Sequence, residues 1–205
     1  MRRTLAVVGV AVVAGLVAAA PLGYRSVQST KYRNFRVVEP GMLYRSGQMS
    51  PGGLQVKVTE YGVRTVVSLR GDVPDDGKPA PDNAEADWCR ANGVEHVVLT
   101  PMHWHAQPGG PPNAPVPVED NLRRFVAVMA NPAKRPVLVH CFAGIHRTGG
   151  YVALYRMHFN GWSADEAIAE MVTMGTVRTT FDDEIPDYLR AYVRRADRPK
   201  APAKP

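Results

Sequence analysis

Short runs of apolar and β-branched residues alternate along the chain with longer stretches whose apolar residues recur at helical spacing. The short runs are bounded by turn residues and predict strands at residues 43–44, 65–69, 94–99 and 137–139. The longer stretches predict helices over residues 51–62, 82–92, 118–130, 147–159 and 183–195, and a capping box at Ser163 and Glu166 begins another. This alternation predicts an α/β fold with a small, mostly parallel sheet flanked by helices.

The N-terminal stretch differs from this pattern because residues 4–24 carry no charge and residues 5–20 are apolar or glycine throughout. A signal peptide has an apolar region of about 7–15 residues, whereas a spanning helix needs about 17–25. Pro21 directly after the alanines at 18–20 disfavours cleavage, so we predict an uncleaved anchor helix within residues 1–24. A cleaved signal peptide with a secreted product, and a buried helix, are the alternatives. The short, signal-like N terminus favours an extracytoplasmic domain.

The positive charge of the 205-residue chain lies at its two ends. Residues 1–36 hold six Lys or Arg and no acidic residue, residues 194–205 carry a net charge of +4, and the whole chain carries +6, which leaves −4 for residues 37–193. A nucleic-acid-binding domain needs positive charge on its folded surface, so this distribution argues against one. We therefore predict a basic linker at 25–36, a catalytic domain at 37–195 and a disordered basic Pro/Ala tail at 196–205, with basic ends that suit an anionic membrane.

The stretch from Val137 to Gly149 carries the strongest chemical signal. A buried strand leads into His140 and Cys141, and Arg147 follows after five residues at the start of a helix. Backbone N–H groups of such a loop and the helix dipole create an anion site, and a guanidinium adds two parallel hydrogen bonds. The same field favours a thiolate, so Cys141 is the predicted nucleophile.

The neighbouring residues have predicted roles in the same reaction. Thr148 can donate its hydroxyl to the Cys141 sulfur, and His140 can fix the loop through backbone carbonyls. The predicted phosphate-binding residues are those of the loop itself: Phe142, Ala143, Gly144, Ile145, His146 and Arg147.

This arrangement, His-Cys-x5-Arg-Thr-Gly, resembles the signature of the cysteine-dependent protein tyrosine phosphatase superfamily. Residues 44–48 and 66–70 are similar to upstream landmarks of its small dual-specificity and atypical members from bacteria, plants and fungi, so the resemblance covers about residues 35–195. It implies a phosphatase fold and a phosphate monoester hydrolase that forms a phosphocysteine without metal or cofactor. Phosphorylated proteins or small phosphate esters are the implied substrates. A pseudophosphatase that only binds phosphorylated ligands and an inositol phosphate phosphatase are the alternatives.

The family's general acid has no obvious counterpart in this chain. Relatives supply an Asp about 30 residues before the Cys, but residues 107–115 contain neither Asp nor Glu. The candidates are His103 and His105 in the same long loop, Asp72 and Asp75 after an earlier strand, and Asp120 at the start of the next helix. A protein without a dedicated acid is the remaining possibility.

Several other residues admit two interpretations. Cys89 is predicted to be a core residue, with a reversible disulfide to Cys141 as the alternative. His103 and His105 alone make a weak metal site, so no metal is predicted.

Arg45 and Arg70 either line the rim of the anion site or are solvated at strand ends. His146 is the one basic residue between Cys141 and Arg147, and the absence of Lys there weakens the inositol phosphate alternative.

Overall fold

A five-stranded sheet forms the centre of the computed structural model, which describes residues 31–71, 83–106, 108–109, 114–175 and 184–192. The strands are β1 (Arg36–Glu39), β2 (Leu43–Gly47), β3 (Thr65–Ser68), β4 (Glu95–Val98) and β5 (Val137–Cys141). The helices are α1 (Pro51–Tyr61), α2 (Asn83–Ala91), α3 (Glu119–Ala130), α4 (His146–Phe159), α5 (Ala164–Thr173) and α6 (Glu184–Ala191), with a 3-10 turn at Pro132–Lys134. The mostly parallel α/β fold predicted from the sequence is therefore confirmed.

The strand order is β1-β2-β5-β3-β4, and only the β1–β2 pair is antiparallel. The sequence pattern missed β1, because this edge strand has charged residues at both ends and its first half is exposed. Parallel pairing of β5 with β2 and β3 brings the carboxyl ends of three strands to one edge of the sheet, where ligands bind in open α/β folds.

Two apolar clusters cover the two faces of the sheet. Tyr44, Val66 and Leu138 face the cluster that includes α1 and α2. The alternate strand residues face a larger cluster that includes α3 to α6. Burial on both faces explains why the central strands consist almost entirely of apolar and β-branched residues.

Local capping fixes several helix ends. Gly53 donates its backbone N–H to the Ser50 side chain at the start of α1, and Ser163 and Glu166 form the predicted capping box at the start of α5. These caps satisfy N–H groups that have no partner within the helix.

Packing begins before the predicted start of the catalytic domain. Tyr32 and Phe35, within the stretch predicted as a linker, pack against the smaller apolar cluster. The predicted anchor in residues 1–24 and the tail at 196–205 lie outside the described residues. Among the helices that are described, none is both long and apolar enough to cross a membrane.

Candidate phosphatase site

Cys141 is the last residue of β5, and its register places it beside Gly47 of β2. The side chain is buried, and the loop after it leads directly into α4, which begins at His146. A helix N terminus carries partial positive charge, so an anion bound above Cys141 is stabilised by α4.

The carbonyl oxygens of the loop after Cys141 are held by groups outside the loop. Phe142 accepts the backbone N–H of Gln48 at 3.0 Å, and Ala143 accepts the side-chain amide of Asn34 at 2.9 Å. With the Ala143 carbonyl engaged outside the loop, the N–H of the same peptide unit, that of Gly144, points inward to Sγ of Cys141. This is the arrangement that a phosphate oxygen requires.

Arg45 supports the second half of the same loop from below. Its guanidinium donates to the carbonyl of Gly144 at 2.8 Å and to that of Ile145 at 3.3 Å, and the residue is only 2% exposed. The interpretation of Arg45 as a rim or solvated residue is therefore wrong. Its position on a central strand buries it beneath the loop, where it holds the backbone.

Gly144 is required by the close approach of the loop to β2. Its φ is +75°, and a Cβ at this position would lie 2.3 Å from the backbone nitrogen of Gly47 and 2.4 Å from the carbonyl carbon of Ser46. Any side chain would therefore push the loop away from the strand that supports it.

The environment of Cys141 favours its thiolate. Burial raises the pKa of Cys141, but the nearby Thr148 hydroxyl and the backbone N–H groups of Thr148, Gly144 and Ile145 favour the thiolate more strongly and lower the pKa overall. The Gly144 N–H lies 3.2 Å from Sγ. A lowered thiol pKa is the property that a nucleophilic cysteine needs.

Arg147 lies in the first turn of α4 and is anchored at one side. Its Nη1 donates to the carbonyl of Leu69 at 3.0 Å. A guanidinium has five N–H donors, so this contact orients the side chain and leaves further donors for an anion. Met102 and Trp104, from the loop after β4, line a cleft together with Arg147.

A buried carboxylate supports His140. Nε2 of His140 lies 2.7 Å from Oε1 of Glu85 on α2, and Nε2 of His96 lies 3.1 Å from the same oxygen. Burial raises the pKa of Glu85, but the charges and hydrogen bonds of His140 and His96 dominate and bring its pKa down to about 2. Sequence reasoning missed Glu85, because nothing in a short helical stretch 55 residues upstream indicates this contact.

The general-acid candidates lie in different environments. His103 and His105 converge on Glu184 of α6, in the loop that lines the Arg147 cleft. Asp120 is exposed in the first turn of α3 and pairs with Arg123 at 3.1 Å. Asp72 and Asp75 lie outside the described residues.

Phe142, Arg33 and Arg70 form an aromatic and cationic rim beside the loop. The Phe142 ring is 54% exposed, and the guanidinium carbons of Arg33 and Arg70 lie 3.9 Å and 5.3 Å from its centroid. Arg70 also donates to the side chain of Gln48. Arg70 thus lies beside the exposed first residue of the loop, as the rim interpretation expected.

Cys89 is a core residue of the smaller apolar cluster, whereas Cys141 belongs to the larger cluster on the other face of the sheet. Burial, with a contribution from Glu85, raises the pKa of Cys89 to about 12, so it remains a thiol. Both cysteines are free. The core interpretation of Cys89 is therefore confirmed, and the disulfide alternative has no support in the packing.

Solved structures of other proteins have the same fold. The solved catalytic core of the PP-IP phosphatase SIW14 from S. cerevisiae has a TM-score of 0.58 at 19% identity, covering 80% of this chain and 87% of that one. TpbA of P. aeruginosa has a TM-score of 0.56 at 24% identity, covering 78% and 85%. At such identities, these similarities establish the fold alone.

Two sequence comparisons concern the family of the chain. A stretch of 65 residues is 45% identical to the dual specificity protein phosphatase TpbA of Pseudomonas aeruginosa (strain UCBPP-PA14), and it covers 30% of this chain and 27% of that protein. The family described as "DSP-PTPase phosphatase fused to NAD+ Kinase" matches residues 24–185, which include every strand and the whole loop from Cys141 to Arg147. The chain therefore belongs to this family, within the atypical cysteine-dependent protein tyrosine phosphatases.

Proposed function

We propose that this protein hydrolyses phosphate monoesters through a phosphocysteine on Cys141, without a metal. The observation that carries the proposal is the loop geometry. The sulfur lies at the base of a loop whose carbonyls are bound from outside by Gln48, Asn34 and Arg45. A dianionic phosphoryl group fits this loop, and developing negative charge on its oxygens is stabilised there.

The reaction has two steps, formation and hydrolysis of the phosphocysteine. The Cys141 thiolate attacks phosphorus, so an S–P bond forms while the P–O bond to the leaving group breaks, and the leaving oxygen takes a proton from the general acid or from water. Water then attacks phosphorus, the S–P bond breaks, and the thiolate and inorganic phosphate are released. Arg147 holds the equatorial oxygens in both steps, and the Thr148 hydroxyl stabilises the departing thiolate.

The test is turnover of para-nitrophenyl phosphate by wild type, Cys141→Ser and Cys89→Ala. We expect turnover that Cys141→Ser abolishes and Cys89→Ala retains, because Cys89 lies on the other face of the sheet. Trapping of a phosphorylated Cys141 by rapid acid quench would identify the intermediate directly.

The alternative of a phosphate-binding pseudophosphatase keeps the same loop but lacks efficient leaving-group protonation. It is motivated by the absence of Asp and Glu from residues 107–115. No turnover by wild type, together with phosphate-dependent binding of a phosphopeptide, would favour this alternative over the enzyme.

We further propose a phosphorylated protein or a small phosphate ester as substrate. TpbA has been solved in complex with pTyr, and SIW14 is a PP-IP phosphatase. The exposed Phe142 ring with Arg33 beside it can stack on an aromatic ester, whereas the two rim arginines favour a substrate with additional anionic groups. Relative kcat/KM for a phosphotyrosine peptide and inositol hexakisphosphate distinguishes these classes.

A membrane location, with the catalytic domain on the extracytoplasmic side, is also proposed. Its support is the charge-free apolar stretch between Arg3 and Arg25. Membrane fractionation of cells that express the full chain, followed by protease protection, tests both parts.

A further inference from the structure

A cluster of two imidazoles and one carboxylate connects the loop after β4 to the first residue of α6. One ligand atom each from His103, His105 and Glu184 lies within 4.8 Å of the other two. Nδ1 of His105 is 3.0 Å from Oε1 of Glu184, and Nδ1 of His103 is 3.9 Å from Oε2. We propose that this cluster binds one divalent transition-metal ion of the zinc class.

The spacing of the donor atoms suits such an ion. Zinc bonds to nitrogen and oxygen of about 2.0–2.1 Å at tetrahedral angles place two ligand atoms about 3.4 Å apart. The two nitrogen–oxygen separations in the structure, 3.0 and 3.9 Å, lie on either side of that value. Small side-chain rotations therefore bring all three donors onto one ion, with water as the fourth ligand.

The ligands are held by a rigid anchor between them. Trp104 is buried, and its ring packs edge-on against Tyr151 and Tyr188 with centroids 5.7 and 5.5 Å away. A Cβ at Gly150 would lie 2.9 Å from the Trp104 ring, so this glycine lets the indole approach α4. With Trp104 fixed, both flanking histidines remain at the surface near Glu184.

A hydrogen bond to the Glu184 carboxylate and the imidazole character of the other two ligands both support a metal that prefers nitrogen donors. The Trp104 backbone N–H donates to Oε2 of Glu184 at 3.4 Å, which orients the carboxylate. Imidazole ligands select Zn²⁺, Cu²⁺ or Ni²⁺ over Mg²⁺ and Ca²⁺, which prefer oxygen donors. The sequence alone predicts no metal site, because His103 and His105 supply two ligands and the third comes from a residue about 80 positions later.

A bound ion would link the loop at 101–106 to α6. Met102 and Trp104 line a small cavity together with Arg147, so this link would constrain residues that pack beside that arginine. Because the ion binds the folded state, its binding should raise the unfolding temperature in proportion to the logarithm of metal concentration.

The test uses full-length Cys141→Ser, in which the Cys141 thiolate no longer competes for metal. In this background we compare the unchanged protein with His103→Ala, His105→Ala and Glu184→Gln by zinc calorimetry and by the visible absorption of bound Co²⁺. Asp187→Asn is the matched control, because it removes an exposed carboxylate of the same helix that pairs with Arg190 instead.

We expect about one zinc per chain and a tetrahedral cobalt spectrum in the reference protein and in Asp187→Asn. Each of the three ligand variants should weaken zinc binding by more than about 10-fold, since loss of outer-sphere partners alone costs roughly 10–100-fold. Absence of zinc binding in the reference protein would overturn the proposal. So would a zinc affinity in the three ligand variants equal to that of the reference protein. Catalysis is not a readout here, so either result leaves the proposed function unaffected.

Discussion

Glu85 on α2 and His140 at the end of β5 meet through a 2.7 Å contact between Oε1 and Nε2, almost fully shielded from solvent. This contact ties the helix before β4 to the residue that precedes the candidate nucleophile. His96 contacts the same carboxylate oxygen, and the charge of Glu85 contributes to the raised pKa of Cys89. A carboxylate in this position stabilises positive charge directly behind the anion-binding loop.

Replacing Glu85 by Gln should lower the free energy of unfolding by about 2 kcal/mol at pH 7, because it removes the buried carboxylate that contacts both His140 and His96. The pKa of Glu85 is lowered from 4.5 to about 2, so its contribution is fully present above 4.5 and is lost as pH falls toward 2. The difference in free energy of unfolding between wild type and Glu85→Gln, measured by urea unfolding, should therefore narrow as pH falls from 4.5 toward 2.

Glu95→Gln is the control for that series, because Glu95 forms a more exposed pair with Lys134. Its effect should stay below about 1 kcal/mol. A pH-independent difference between wild type and Glu85→Gln would contradict the assignment of a paired Glu85 carboxylate.

Gly144→Ala should abolish turnover, while Gly41→Ala should not. Both residues have a positive φ, +75° and +73°, so each alanine costs about 1 kcal/mol of backbone strain. Only at Gly144 does the new Cβ meet backbone atoms, those of Gly47 and Ser46, and Gly41 has open space. Steady-state kinetics with thermal unfolding of both variants separates strain from loop displacement. Equal activity in the two variants would show that the loop tolerates a side chain.

Arg147→Lys should leave a folded protein whose kcat falls by roughly 100-fold or more, as for loss of one oxyanion donor. An ammonium cannot both donate to the Leu69 carbonyl and hold two phosphate oxygens in one plane. Arg123→Lys on α3 is the matched control, since that arginine pairs with Asp120 at the surface. Near-normal kcat in Arg147→Lys, with unchanged circular dichroism, would refute the proposed role of the loop.

The strand, loop and helix around Cys141 could be predicted because their signals are local. An apolar run, a Cys, a glycine and an Arg-Thr-Gly helix start follow one another within 13 residues, so the order of the sequence is also the order in space. The capping box at Ser163 and the helix at Pro51–Tyr61 were predictable for the same reason.

The supporting contacts could not be predicted because they join distant segments. Arg45 binds the carbonyl of Gly144 across 99 residues, and Glu85 reaches His140 across 55. A charged residue in a strand pattern indicates exposure until the pairing of β2 with β5 is known. The burial of Arg45 beneath the loop is therefore a consequence of topology.

Deletion of residues 1–30 should yield a soluble, active domain, because the apolar stretch at 4–24 precedes β1, the first strand of the sheet. Deletion of residues 1–36 is the informative comparison, since it also removes Phe35 from the smaller apolar cluster and Asn34 from the Ala143 carbonyl. We expect that longer deletion to lower both the unfolding temperature and kcat. Insoluble protein after the shorter deletion, or a circular dichroism spectrum of an unfolded chain, would show that residues 1–30 contribute to the core.

Proton donation to the leaving group can be measured by comparing phenyl phosphate with para-nitrophenyl phosphate. Loss of a general acid slows the ester of the poor leaving group selectively, because para-nitrophenolate departs with little protonation. The variants are Asp72→Asn, Asp75→Asn, His103→Gln, His105→Gln and Asp120→Asn. All assays contain EDTA, because a metal on the imidazole nitrogens would compete with their protons.

We expect the selective loss, about 100-fold on phenyl phosphate, in His103→Gln or His105→Gln. Their loop contributes Met102 and Trp104 to the cleft that holds Arg147, whereas Asp120 lies on α3 beside Arg123 and does not line that cleft. Asp120→Asn should accordingly keep the wild-type ratio between the two substrates. If all five variants keep that ratio, none of these residues is the acid, and water must protonate the leaving oxygen. Slow turnover of phenyl phosphate by the wild type itself would then favour the phosphate-binding alternative.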